Sequence, residues 1–332
     1  MIPKGHVVAL SGGVGGAKLA LGLASVLPSS QLSIVANTGD DFEYLGLHIS
    51  PDIDSLIYTL AGVNNPVTGW GRANESWTFM SEAERLGIDS WFRTGDKDLA
   101  VHVHRTSRLR SGSSLSAVTD EIARRMGIAA NIIPMSDDPV RTYLETDVGT
   151  LAFQDYFVRH GCKPQVSGIR FQGCETAAPS PMFRQLLDSP DLAAVVLCPS
   201  NPYLSIDPVL SIPGVVEALA CNKAPVIAVS PIVQGQAIKG PTAKIMGELG
   251  VPVTPAAVAD HYQGLIDGFV LDSSDGELSR SMAGTGLAVE VANTVMQSLG
   301  DRASLARTVL EFSRRLQHAP ARPRHNPRVR LS

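Results

Sequence analysis

Four cysteines in 332 residues, at positions 162, 174, 198 and 221, never fall in a Cys-x-x-Cys pair. That spacing supplies neither a disulfide framework nor a zinc ligand set, and leaves reduced thiols of a cytoplasmic protein as the reading. Cys198 and Cys221 stand in apolar runs, where a thiol serves as a small core residue. No apolar stretch reaches membrane-spanning length, and the first residues lack the basic start and apolar core of a signal peptide. A membrane partner is therefore not expected. Charged residues make up only 18% of the chain and apolar ones 44%, a balance ordinary for a globular enzyme with a sizeable core. There is no internal repeat, and no low-complexity run outside the last twenty residues.

Those last twenty hold much of the positive charge. Residues 313–332 contain six arginines and no acid, so a chain of net charge −4 leaves about −10 on residues 1–312. An acidic body argues against nucleic acid as a partner, and the Pro/Arg/His-rich end reads as a disordered tail. Residues 1–312 are then expected to form a single domain.

What the sequence does have is concentrated between Val7 and Asp54. Residues 7–10 read as a strand, Ser11-Gly12-Gly13-Val14-Gly15-Gly16 as a glycine loop, and 17 to about 27 as a helix. A second buried strand at 32–36 runs into Asn37-Thr38-Gly39-Asp40-Asp41. A strand that passes through glycines into a helix gathers unpaired N–H groups and the positive helix end at one point, where phosphate oxygens bind. The loop fits neither common fingerprint. A Walker loop needs Gly-Lys-Ser/Thr, but Lys18 stands between Ala17 and Leu19, and the dinucleotide spacing needs glycine where Lys18 is. Phosphate binding is the expectation, a purely structural tight turn the alternative, and the ligand class stays open at this point.

Further along, helices are expected at 54–61, 76–86 and 113–126, and strands at 131–134, 193–197, 225–229 and 268–271. The alternation Leu99, Val101, Val103 suggests another strand, with His102 and His104 on its polar side. Residues 140–190 are less regular and read as a small lobe or insertion. Short β-branched runs divided by helices predict an α/β fold: a Rossmann-like, mostly parallel sheet with helices on both faces. Ligands of such sheets gather at the carboxyl ends of strands, where Ser11, Asn37, Ser200-Asn201, Ser230 and Asp272 fall.

Two charged clusters compete for chemical roles. In Ser50-Pro51-Asp52-Ile53-Asp54, Ser50 and Pro51 look like a helix start, with Ile53, Leu56, Ile57 and Leu60 as its apolar stripe. Asp52 and Asp54 can simply relieve the helix dipole. Together with Asp40 and Asp41, however, they put four carboxylates near a phosphate loop, an arrangement that suits Mg²⁺. Downstream, Lys239-Gly240-Pro241 resembles a second anion-binding turn before a helix, with a solvated turn as the plain alternative.

These pieces, with Gly95-Asp96-Lys97-Asp98, Pro199-Ser200-Asn201-Pro202 and Ser230-Pro231-Ile232, stand in the order and spacing of one family. Over residues 6–310 the chain resembles the 2-phospho-L-lactate transferases of deazaflavin coenzyme F(420) biosynthesis. The resemblance implies a Mg²⁺-dependent, frequently dimeric cytoplasmic enzyme. Such an enzyme moves a phospho-three-carbon-acid group, phospholactate, phosphoenolpyruvate or phosphoglycerate, from its guanosine diphosphate ester to the hydroxyl of the deazaflavin precursor and releases GMP. It also implies that Asp54 and a basic residue of the 93–97 cluster, Arg93 or Lys97, contact the deazaflavin. On that footing the diphosphate ester falls to Ser11, Gly12, Gly13, Val14, Gly15, Gly16, Lys18, Asn37, Thr38, Ser200, Asn201, Lys239 and Gly240. The metal falls to Asp40, Asp41, Asp52 and Asp54, with Asp54 or Asp52 as catalytic group. The competing class is a non-catalytic nucleotide-sugar-binding regulatory protein with a similar glycine loop. The presence of Asp52, Asp54, Arg93 and Lys97 favours the enzyme.

Overall fold

A computed structural model of the chain describes residues 4–283 and 286–318. Its main sheet has seven strands: β1 (His6–Ser11), β2 (Leu32–Ala36), β3 (Asn131–Pro134), β4 (Leu192–Leu197), β5 (Val226–Val229), β6 (Gly268–Asp272) and β7 (Ala288–Ala292). They lie in the order β7-β6-β5-β4-β1-β2-β3, and every pairing is parallel. The chain steps outward from β1 to β3, then returns to the other side of β1 with β4. That reversal creates a crevice at the carboxyl ends of β1 and β4, the place where such sheets hold ligands.

Burial on both faces explains the composition of these strands. All six residues of β4 are buried, and β1 is buried from Val7 to Ser11. Side chains alternate between two cores. Val8, Leu10, Val195 and Leu197 join one with Phe183 and Phe269; Val7, Ala9 and Val196 join the other with Leu19, Leu23 and Val309. The helices that matter below are α1 (Gly13–Val26), α2 (Pro51–Leu60), α3 (Asp96–Arg110) and α4 (Leu299–Gln317). Gly22 lets α1 lie against α4, since a Cβ there would strike the Arg302 carbonyl.

Three expectations are corrected. Residues 99–103 belong to α3, not to a strand. The alternating valines misled because one of them, Val103, is exposed, while the buried set Val101, His102, Arg105, Thr106 has helical spacing. Asp96 and Asp98 open that helix and Arg108 and Arg110 close it, each sign matched to the helix dipole. The segment read as less regular contains a three-stranded antiparallel sheet, with Arg141–Thr146 between Gly149–Ala152 and Val166–Gln172. Its Leu144, Val166 and Phe171 pack into the same core as β4. Finally, α4 runs through Gln317 with Ser313 buried, so the first five residues of the expected tail are helical. The rest of that tail, 319–332, lies outside the described residues. Among the described residues no single helix is long and apolar enough to cross a membrane.

Candidate functional site

A cavity of about 840 Å³ opens over the carboxyl ends of β1, β4, β5 and β7. Its floor is the glycine loop. Helix α1 begins at Gly13, with Gly12 as an N-cap that offers no side chain, so its first turn is not capped from within, and the Gly13 N–H is met instead by a carboxylate from α2. Three of the four glycines have packing reasons. A Cβ on Gly12 would meet Asp52 and Ser205, one on Gly15 the Pro199 carbonyl, and one on Gly16 the hydroxyls of Ser200 and Ser11. Gly13 differs: its φ is +62°, and a Cβ there would find nothing within 4 Å. Ser200 ties the end of β4 to this loop, accepting from the Gly12 N–H at 3.1 Å and donating to the Gly12 carbonyl at 2.8 Å.

Beside the loop, Asp52 accepts from the Gly13 N–H at 2.5 Å. The Asn37 amide donates to both Asp52 and Asp40, each at 3.0 Å, and to the Leu204 carbonyl at 3.2 Å. Burial pushes the Asp52 carboxyl up to about 6. Burial, then the charges of Asp52 and Asp41, raise Asp40 well above the usual carboxylate range. Asp41 does not line the cavity. It accepts from the Ser50 hydroxyl at 2.8 Å and pairs with His48 Nε2 at 3.1 Å, so Ser50 supports Asp41 instead of capping α2 with its side chain.

Asp54 meets different company. Arg105, fully buried on α3, clamps it with both Nη atoms, Nη1 at 3.1 Å from Oδ2 and Nη2 against Oδ1. Burial raises the Asp54 carboxyl against the pull of that guanidinium, while Asp54 holds Arg105 charged despite its own burial. His102 follows, with Nδ1 3.6 Å from Asp54 and Nε2 3.3 Å from Asp98, and Asp98 takes the Tyr58 hydroxyl. Asp54, Asp98 and His102 are the one set of three acid or histidine ligand groups within 4.8 Å among the described residues. The four aspartates expected to share a metal therefore do not converge.

Of the other expected residues, Val14, Lys18, Arg93, Asn201, Lys239 and Gly240 line the cavity. Lys18 Nζ donates to the Met296 carbonyl at 3.0 Å, and burial, with Arg302 and Lys239 nearby, lowers its pKa. Lys239 donates to the Thr68 carbonyl at 2.6 Å, and Asn201 caps the turn after β4 by accepting from the N–H groups of Tyr203 and Leu204. Ser11, Asn37 and Thr38 are buried beneath the floor. Arg93 sits over the Trp77 ring at 4.8 Å, whereas exposed Lys97 points to the Asn74 carbonyl and does not line the cavity. Sequence reasoning missed Arg105 and Tyr58 altogether, named Asp98 only within the Gly95-Asp96-Lys97-Asp98 motif without giving it a role, and left His102 as an ordinary polar-face residue. It also missed an aromatic wall in which Trp91 and Phe92 pack against Phe42 and Tyr44, and Phe153 stacks on Phe157 at 5.4 Å. The i, i+4, i+7 spacing of Asp98, His102 and Arg105 was the available signal.

One cavity is thus lined both by a phosphate-type glycine floor and by carboxylates with aromatic side chains. Comparison with known proteins agrees with a transferase. The chain is 37% identical over 320 residues to a phosphoenolpyruvate transferase from Kitasatospora aureofaciens, covering 94% of this chain and 99% of the relative. It is 38% identical over 312 residues to a 2-phospho-L-lactate transferase from Methanopyrus kandleri, covering 92% and 97%. A solved UPF0052-family protein from Bacillus halodurans superposes with a TM-score of 0.60, over 92% of this chain and 99% of that one, at 12% identity. That likeness shows the fold alone. The model of one transferase family, 2-phospho-L-lactate transferase CofD, matches residues 7–307, and it is to this family that the chain belongs.

Proposed function

We propose that the protein moves a phospho-three-carbon-acid group from its guanosine diphosphate ester to the hydroxyl of the deazaflavin precursor, releasing GMP, in coenzyme F(420) biosynthesis. The observation that carries this reading is a single cavity lined by both the glycine loop and a set of aromatic and charged side chains. The glycine-loop end, with Gly13 open and Lys18 and Lys239 on the wall, suits the diphosphate. The other end, with Trp91, Phe92, Arg93 and Asp54, suits a flat ring carrying a hydroxyl chain. The acceptor oxygen attacks the phosphorus that bears the acid, the bond to the GMP phosphate breaks, and the hydroxyl proton passes to the departing phosphate or to water. Asp54 orients that hydroxyl, and positioning with charge neutralisation does most of the work.

Asp40 and Asp52 would hold a Mg²⁺ ion. Both line the cavity, both are buried and share one amide, and a hard dication relieves such a carboxylate pair. Asp54 fits that role poorly because its charge is already met by the Arg105 guanidinium. The ion would supply charge neutralisation at the diphosphate. Chelation followed by dialysis should stop turnover, and Mg²⁺ or Mn²⁺ should restore it; full activity in excess chelator removes the metal from the reading. A homodimeric, cytoplasmic enzyme is proposed from the family resemblance.

Relatives named for phosphoenolpyruvate and for 2-phospho-L-lactate are about equally similar to this chain. The decisive experiment therefore offers the lactate, enolpyruvate and glycerate esters side by side, each with the deazaflavin precursor. Product mass and GMP release are measured. Transfer from one of the three supports the reading and names the donor; no transfer from any of them overturns it.

A further inference from the structure

Arg105 takes no part in the cavity wall, yet it is the largest fully buried side chain among the described residues, and its side-chain partners Asp54 and His102 both line the cavity. Its fork closes on both oxygens of Asp54, while Nη1 also stands 3.4 Å from His102 Nδ1 and 3.5 Å from the His48 carbonyl. Asp54, His102, Asp98 and Tyr58 do line the cavity. The guanidinium thus stands behind the carboxylate, and the cavity in front of it.

We infer that Arg105 is a positioning residue for the transfer, fixing the plane of the Asp54 carboxylate so that its remaining lone pairs meet the acceptor hydroxyl. This rests on the function proposed above. A carboxylate has about four acceptor sites, so a bidentate guanidinium leaves others free to face the cavity. A buried ion pair kept only for stability is weakly explained, because apolar residues of the same volume serve as well or better. A pair whose acid opens onto the ligand cavity has a reason to be ionic. Lysine cannot reproduce the fork: it offers a point charge on a flexible stem, and the carboxylate plane is then free to turn.

The test uses the full chain with the donor that the parent accepts. Turnover and acceptor KM are measured for Arg105→Lys, Asp54→Asn and the double variant, beside donor-binding titrations and melting curves. Arg105→Lys should lower kcat at least about tenfold and leave donor affinity within about threefold. The double variant should turn over within about threefold of Asp54→Asn alone, because the arginine acts only through that carboxylate. Parental kcat in a folded Arg105→Lys protein overturns the inference, and so does a double variant whose loss is the product of the two single losses. Should Arg105→Lys fail to fold, the neutral pair Asp54→Asn/Arg105→Gln is compared with Asp54→Asn. Equal turnover supports positioning, and a further tenfold fall overturns it. A parent that transfers from no donor fails the functional reading itself, a result these variants cannot imitate.

Discussion

Asp52 and Asp54 are two residues apart in one motif and one helical turn and line the same cavity, yet they meet different partners. Two residues on a helix are separated by about 200°, so side chains at its start can face different neighbours. Asp52 turns to the N-terminus of α1 and is held by neutral donors, the Gly13 N–H and the Asn37 amide. Asp54 turns to α3 and is held by a buried guanidinium. The first environment leaves a carboxylate in search of a cation; the second leaves one already paired and fixed in direction. On the function proposed above, a single helix start placed at the strand ends would then divide donor chemistry from acceptor chemistry.

The largest effect that can break this division is Asp54→Asn. Turnover should fall by about two orders of magnitude or more, the scale of a lost acid–base or electrostatic group. Donor affinity should change much less, since the proposed function assigns the diphosphate to the glycine loop and not to Asp54. The variant leaves Arg105 buried without its charge partner, so a melting curve must accompany the assay. Near-parental turnover would put Asp54 outside the mechanism.

Gly13→Ala probes the other end. Its positive φ costs about 1 kcal/mol for an alanine, but no neighbour is struck, so the fold should survive. A methyl group facing the open floor should weaken binding of the guanosine diphosphate ester by about tenfold or more and leave deazaflavin affinity unchanged. Gly15 is a poorer probe, because its Cβ would clash with the Pro199 carbonyl whether or not a phosphate binds. Parental donor affinity in Gly13→Ala would reduce the loop to a packing device.

How much of this was readable in the sequence differs between the same two ends. The donor end is local: strand, glycines and helix follow one another, and Asn37 and Ser200 stand at strand ends that a parallel sheet must bring together. The acceptor end is assembled by α3, whose sequence carries both a strand-like alternation and a helix-like spacing. Only packing decided between them: Val101 is buried and Val103 is not, and the buried Arg105 points at Asp54. An arginine in a run of charged residues gives no sign that it is wholly buried. Nor could the four aspartates be sorted by spacing, because Asp41 is drawn off by His48, from the small hairpin of residues 42–49, and by Ser50 just after it.

A smaller effect separates the two basic candidates at the acceptor end. Arg93 lines the cavity beside Trp91 and Phe92, while Lys97 is tied to the Asn74 carbonyl outside it. Arg93→Met should raise the deazaflavin KM by about tenfold, the size of one charge-assisted contact, and Lys97→Met by less than about threefold. The reverse order would move the acceptor towards α3's exposed first turn.

The smallest expected effect concerns the ion pair that supports the donor end from outside. Asp207 follows the turn that carries Asn201 and Leu204, and His261 Nε2 lies 2.8 and 3.0 Å from its two oxygens, with the Tyr203 ring edge-on at 4.7 Å. Burial lowers the His261 pKa, but the Asp207 charge and hydrogen bond outweigh it, and the result is a raised value. A group whose folded pKa is raised contributes stability that is fully present below its unfolded value of about 6.5. That contribution is lost as pH rises through the higher folded value. His261→Gln should therefore melt below the parent at pH near 6, by about 1 kcal/mol or less, and the gap should narrow as pH rises through the neutral range. Activity should stay close to parental at both pH values, because His261 touches neither the floor nor the aromatic wall. A gap that stays constant or widens with pH would mean that His261 is held by packing alone. A lost donor affinity in the variant would instead place this pair within the binding machinery, in closer likeness to the clamp on Asp54.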